Sequence, residues 1–135
     1  MLIDTSILVP VFRDKSGERR KRFVQFVRGR DYVLTRFTQL ELLRGCSSQP
    51  QWELLSHYLE AQEYAEAVAT TWSDAARLSL ELKLRGKNVA SILDCCIAQL
   101  AIHHGLTLVH NDRDFETIAG ICELKQRRFD IQARN

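Results

Sequence analysis

The chain has 135 residues, 45% of them hydrophobic and 27% charged, a size and balance that suit one globular domain burying about two-thirds of its unfolded surface without disulfide staples. No apolar run reaches the length of a membrane span, and Met1-Leu2-Ile3-Asp4 offers neither a basic leader region nor a small-residue cleavage site, so a cytoplasmic protein without membrane attachment is expected. The formal net charge of +2 hides a division along the chain. Arg13, Lys15, Arg19, Arg20, Lys21, Arg22, Arg28 and Arg30 crowd residues 11–30, whereas Glu53, Glu60, Glu63, Glu66, Asp74 and Glu81 dominate residues 51–82; the basic stretch suits either a phosphate-backbone contact or a solvated helix face.

Leu2-Ile3 reads as a short buried strand that ends at Asp4, followed by a helix whose N-cap is expected near Ser6, because Pro10 is tolerated only in a first turn. Residues 16–27 place Phe23, Phe26 and Val27 at helical spacing behind a basic face. A second strand is expected at Tyr32 to Thr35, then a helix from Phe37 to Arg44 stopped by Gly45. Helical periodicity continues from Trp52 to Leu59 and from Ala65 to Leu84, with an extended piece near Glu63-Tyr64 between them and Gly86 as the stop. The remaining elements are a helix from Ser91 to His104 closed by Gly105, a strand over Leu106 to Val109, a helical turn from Arg113 to Ile118 and a last strand from Ile121 to Leu124. Strands alternating with helices predict an α/β fold built on a mostly parallel sheet with helices on both faces. Sites in such sheets lie beyond the carboxyl ends of the strands, where Asp4, His110, Asn111, Asp112 and Asp114 fall.

Cys46, Cys95, Cys96 and Cys122 show no C-x-x-C spacing and read as reduced, packed residues. A zinc site from Cys95, Cys96, His103 and His104 is disfavoured, since adjacent helical residues point about 100° apart. Asp4, Glu41 and Asp94 are a different matter, because each interrupts a run that otherwise belongs to the core. A buried carboxylate must find donors, a cation or a proton, and any one of these could be a helix cap or an arginine partner. Gathered together, they suit a hard divalent cation with oxygen ligands, magnesium or manganese rather than zinc.

Four segments then carry a family resemblance: Leu2-Ile3-Asp4-Thr5-Ser6-Ile7-Leu8-Val9, Thr38-Gln39-Leu40-Glu41-Leu42-Leu43-Arg44-Gly45, Ser91-x-x-Asp94-x-x-Ile97-Ala98, and Gly105 to Ile121 with Asn111-Asp112-Arg113-Asp114-Phe115 inside it. In order and spacing they resemble the motifs of PIN domains, particularly VapC-like toxins of type II toxin–antitoxin systems. The resemblance implies a single PIN-like domain over residues 1–135, a three-layer α/β/α sandwich, acting as a magnesium-dependent endoribonuclease in which manganese can substitute. It implies that Asp4 and Asp94 hold the metal, with Glu41 and the fourth acid, Asp112 or closely behind it Asp114, completing or positioning its water shell. A metal-activated water would hydrolyse the RNA phosphodiester to a 5′-phosphate and a 3′-hydroxyl. Ser6 and Ser91 match positions that support the acids by hydrogen bonding, simple N-capping being the alternative for both. Arg13, Lys15, Arg36 and Arg113 are candidates for RNA phosphates, although each taken singly reads first as an ordinary surface charge. The sequence departs from the family at His110, where threonine or serine is common; His110 reads as an exposed loop residue or a phosphate contact.

Partners follow from the same resemblance: RNA as substrate, a VapB-like antitoxin that blocks the acidic pocket and groove, and a second copy in a homodimer, with no membrane. Ile7, Leu8, Val11, Phe12, Phe23 and Phe26 are candidate contact residues, although most of them read as core. A competing reading is a PIN-like scaffold that binds RNA or protein without cutting, which gives no reason to keep carboxylates in apolar segments. A phosphatase with Asp4 as nucleophile calls for a second aspartate where Ser6 stands.

Overall fold

The computed structural model describes residues 1–87 and 90–132. Three strands, β1 (Leu2–Ile3), β2 (Leu108–His110) and β3 (Gln126–Arg128), form a parallel sheet in the order β1-β2-β3. On the free side of β1 the sheet continues as isolated parallel bridges, Leu2 with Val33 and Leu34 with Tyr64. The expected strand around Val33-Leu34 is therefore present as bridges.

The helices are α1 (Thr5–Arg13), α2 (Glu18–Val27), α3 (Arg36–Arg44), α4 (Gln49–Glu60), α5 (Thr71–Leu84), α6 (Ile92–His103) and α7 (Arg113–Ala119). Side chains alternate across a strand, and that alternation divides the core. Leu2 and Leu108 point to one face, where they meet Ala75, Leu78 and Leu82 of α5, Cys95, Cys96, Ala98 and Ala101 of α6, and Phe115 and Ile118 of α7. Ile3 and Val109 point to the other, against Ile7, Leu8 and Val11 of α1, Phe23 of α2, Leu42 of α3, and Leu55 and Leu59 of α4. Helices thus cover both faces of a parallel sheet, the α/β/α arrangement expected from the alternation of elements. Cys95 and Cys96 are buried and unbridged, and burial pushes the Cys95 thiol up to about 11.

Several local expectations are corrected. The N-cap of α1 is Asp4, not Ser6: its Oδ2 accepts from the Ser6 N–H at 3.0 Å. Pro10 consequently lies inside the helix, where its missing N–H leaves the Ser6 carbonyl without a helical donor. Residues 65–70 are not helical. Tyr64 bridges to Leu34 and the Ala65 N–H donates to the Leu34 carbonyl at 2.9 Å, so the chain leaves the sheet edge extended; the His104 ring then meets the Glu66 carbonyl at 2.8 Å. Val68, Trp72 and Ala76, which fall within the stretch expected to be helical, are exposed.

The last strand is Gln126–Arg128, not Ile121 to Leu124. The earlier residues are taken by the unwinding end of α7, where the Ile121 N–H and the Cys122 thiol both donate to the Ile118 carbonyl. Of the residues offered for dimer contact, Ile7, Leu8, Val11 and Phe23 are core, Phe26 is half-buried and Phe12 is 46% exposed. No helix among the described residues is long and apolar enough to cross a membrane.

Candidate metal centre

Asp4 leaves the C-terminal end of β1 and Asp112 follows β2, its neighbour in the sheet, so parallel pairing alone brings the two acids to one edge. Asp4 is 6% exposed. Its Oδ2 accepts twice from Ser6, from the N–H at 3.0 Å and from Oγ at 2.6 Å. Ser6 Oγ in turn accepts from the Asn111 N–H at 2.9 Å, so this one hydroxyl ties Asp4 to the loop that carries Asp112. The supporting bond expected of Ser6 is present and the N-capping alternative is not.

Asp94 is the third residue of α6. Ser91 caps that helix reciprocally: Ser91 Oγ accepts from the Asp94 N–H at 3.1 Å, and Asp94 Oδ2 accepts from the Ser91 N–H at 3.1 Å. Ser91 therefore both caps and orients. Glu41 comes from the middle of α3 rather than from an N-terminal turn and is exposed. With Asp4, Asp94, Asp112, Ser6 and Pro10 it lines a cavity of about 380 Å³. Asp112 caps α7 by accepting from the Asp114 N–H at 2.9 Å. One carboxylate oxygen from each of Asp94, Asp112 and Asp114 lies within 4.8 Å of the other two. Asp114, ranked behind Asp112 from sequence, thus belongs to the tightest group, while Asp4 and Glu41 share the cavity with Asp94 and Asp112.

Burial raises the pKa of Asp4 above the ordinary carboxylate value, against the pull of the Ser6 hydrogen bonds. Partial desolvation of the carboxylate raises the otherwise exposed Glu41, with repulsion from Asp4 and Asp94 added; it likewise raises Asp94, with Asp112 added, and Asp114, with Asp112 and Asp94 added. Among the described residues none of the five carboxylates takes part in an ion pair. Like charges collected at partly desolvated positions, with no cationic side chain paired to them, are strained until a cation or protons arrive. An all-oxygen donor set of this kind fits a hard divalent ion and lacks the nitrogen and sulfur ligands zinc prefers.

His110 is corrected most sharply: it is 0% exposed, the last residue of β2. Its Nδ1 accepts from the Asp112 N–H at 3.1 Å. A backbone N–H can only donate, so the ring proton resides on Nε2, which donates to Gln126 Oε1 at 2.7 Å. The imidazole is a brace between the acid-bearing loop and β3. Neither Gln126 nor Asn111 was singled out for a role from sequence. Their polarity resembles any loop's, and only the pairing of β2 with β3 gives them partners.

The four cations proposed for phosphate contacts are dispersed. Arg13 and Lys15 are exposed and line a second groove with Val9, Phe12, Leu42, Leu54 and Leu55, which meets the first at Val9 and Glu41. Arg113 is exposed at the first position of α7. Arg36 commits its guanidinium to Glu66 at 2.7 Å and to Gln39 at 3.2 Å, and lies 3.8 Å above the Tyr64 ring.

The family model described as PIN domain matches residues 1–121. The VapC ribonuclease Mb1587 of Mycobacterium bovis is 46% identical over 55 residues, a match spanning 41% of this chain and 41% of that protein. Ribonuclease VapC51 of Mycobacterium tuberculosis is 27% identical over 120 residues, covering 89% of this chain and 85% of its own length. Among solved structures, a chain of VapBC2 from Rickettsia felis, crystallised with a promoter DNA fragment, superposes with a TM-score of 0.72 over 96% of this chain and 98% of its own, at 20% identity, a likeness of fold.

Proposed function

This chain belongs to the PIN-domain family, and from that premise we propose that it is a metal-dependent endoribonuclease serving as the toxin of a toxin–antitoxin pair. The observation that carries the proposal is the meeting of Asp94, Asp112 and Asp114 within 4.8 Å at the end of the sheet where the buried Asp4 also emerges. Magnesium, with manganese as a substitute, is the cation we assign. Asp94, Asp112 and Asp114 would hold it directly, with Asp4 and Glu41 facing the same cavity. When bound, such an ion neutralises the acids, polarises a phosphoryl oxygen and lowers the pKa of water.

The remaining work falls to the chain itself. Ser6 fixes the rotamer of Asp4, the Ser91 cap fixes Asp94, and the His110 brace sets the height of the loop bearing Asp112 and Asp114. The cavity admits a phosphodiester beside the acids, and Arg13, Lys15 and Arg113 stand where flanking phosphates are accessible to them. RNA as substrate is proposed because relatives are named ribonucleases. A VapB-like antitoxin is proposed because the structural neighbours include VapBC complexes. The second groove, apolar at Leu42, Leu54 and Leu55 and rimmed by Arg13 and Lys15, suits an antitoxin segment that also reaches the acids. Homodimerisation and a cytoplasmic setting complete the reading.

Cleavage of total and transfer RNA by the purified, antitoxin-free chain, with magnesium or with EDTA, tests it. Activity should need magnesium and fall at least about a hundredfold in a folded Asp94→Ala. Equal activity in both proteins would refute the site. No activity and no magnesium binding by calorimetry would favour a non-cutting scaffold.

A further inference from the structure

Resting on the RNA reading above, we infer that a strip of arginines on α2 and β3, joined to the acid loop through Asn111, binds the phosphate backbone of the substrate RNA on one side of the cavity. α2 carries Arg19, Arg20, Lys21 and Arg22, with Arg28 and Arg30 just beyond it, and β3 carries Arg127 and Arg128. About a hundred residues separate the two groups in sequence; a pair of phenylalanines brings them together. Phe26 and Phe129 stack with centroids 4.2 Å apart and planes 25° apart. Arg30 lies 5.0 Å and Arg127 5.1 Å from the Phe26 centroid, and Arg22 lies 5.7 Å from that of Phe129.

Such arginines are partly pre-ordered, so less side-chain freedom is lost when a phosphate is bound, and a guanidinium plane held against a ring keeps donors to spare. Among the described residues Arg22, Arg30 and Arg127 join no ion pair; Arg22, with Nη1 buried and Nη2 donating to the Asp130 carbonyl at 3.0 Å, anchors the cluster, and the exposed Arg30 and Arg127 are left to face a phosphate. The link to the active end runs through Asp130, whose carbonyl takes the Arg22 bond and whose Oδ1 accepts from Asn111 Nδ2 at 3.4 Å; Arg128, turned by strand alternation to the opposite sheet face from Arg127, reaches the same asparagine. Its Nε donates to Asn111 Oδ1 at 3.3 Å, one residue from Asp112, and its Nη1 stands 3.8 Å from Glu116.

Two simpler roles for these cations are solvated helix charges and guards of the sheet edge, since β3 pairs only with β2 among the described strands. Either role needs charge alone. Neither accounts for three guanidiniums from separate elements converging on one aromatic pair next to the acid loop. An acidic cavity repels a polyanion, so a substrate drawn to it needs cations close at hand, and this strip supplies them.

The experiment is anisotropy of a fluorescein-labelled single-stranded RNA in EDTA across a salt series, using the full chain, Arg30→Ala with Arg127→Ala, and Arg85→Ala with Lys87→Ala as a charge-matched control near the end of α5. The strip variant should bind about tenfold more weakly at 0.1 M salt, with its log–log salt slope shallower by about 1.4, the release expected of two phosphate contacts on a single strand. The control should match wild type. In magnesium the strip variant should show a raised KM with kcat unchanged. Arg30→Gln with Arg127→Gln removes the charge while keeping side-chain bulk against Phe26, and tests the same point if the alanine pair fails to fold; its slope should be shallower by the same amount. Equal losses in control and strip variants, or an unchanged slope, would overturn the inference, as would strip-dependent binding that prefers duplex DNA to RNA. RNA held by the strip but not cut in magnesium would leave the strip standing and remove the nuclease reading. Cutting with a wild-type KM in the strip variant would do the reverse.

Discussion

Two grooves of nearly equal size, about 380 and 370 Å³, lie side by side with Val9 and Glu41 in common, yet their chemistry is opposite. The first is lined by Asp4, Asp94 and Asp112, where sheet and helix ends meet; the second by Phe12, Leu42, Leu54 and Leu55 with Arg13 and Lys15 at its rim. The first can be satisfied only by a cation or protons, because its carboxylates have no ion-pair partners among the described residues. The second gains by burying apolar surface and by meeting negative charge. The shared Glu41 gives a partner seated in the second groove a way to feel, or to cover, the first.

The comparison breaks most visibly at His110. His110→Gln can still reach Gln126 but offers no acceptor at the position of Nδ1, whereas His110→Asn places an oxygen there and gives up Gln126. Calorimetry with manganese should show metal affinity about ten- to a hundredfold weaker in His110→Gln and nearer wild type in His110→Asn, the range typical of residues that orient metal ligands. Equal losses in both variants would reduce the imidazole to a packing role.

A smaller effect is expected from the second groove. Leu54 is 77% exposed and lines it, so Leu54→Asp should leave the fold and RNA cleavage intact while weakening antitoxin binding by about 2 kcal/mol, some thirtyfold in Kd. A comparable drop in cleavage without antitoxin would show that the two grooves work as one.

The smallest effect lies in stability. An acid whose pKa is raised in the folded state costs nothing while protonated in both states, below its unfolded value of 3.8, and destabilises the fold as pH rises through the folded value. Metal-free Asp94→Asn, which keeps an oxygen for the Ser91 cap, should therefore melt above wild type at about pH 7.5, and the gap should close toward about pH 4. Differential scanning calorimetry at the two pH values checks it, and a gap that widened on acidification would contradict the assigned direction. Magnesium should raise the melting temperature of wild type more than that of the variant.

Much of the layered architecture was legible in the sequence. Short apolar runs at Leu2-Ile3 and Leu106 to Val109, helical spacing in α4, and stops at Gly45, Gly86 and Gly105 report local preferences that the chain carries wherever it goes. The acids were visible for the same reason, since a carboxylate amid apolar residues is costly whatever surrounds it. What failed were boundaries set by distant partners. Residues 65–70 carry a helical pattern, but the chain enters them extended because the Ala65 N–H is committed to the Leu34 carbonyl, and β3 is a polar triplet with no strand signal that exists because β2 pairs with it.

The sequence by itself therefore determined the kind of layers and which side chains required compensation, because periodicity and desolvation are local costs. Only the tertiary structure decided which acids meet, that Asp114 joins Asp94 and Asp112, that His110 is a buried brace rather than an exposed loop residue, and that arginines from both ends of the chain share one aromatic pair. Those are facts of register and crossing, and they depend on elements that no window of neighbouring residues contains.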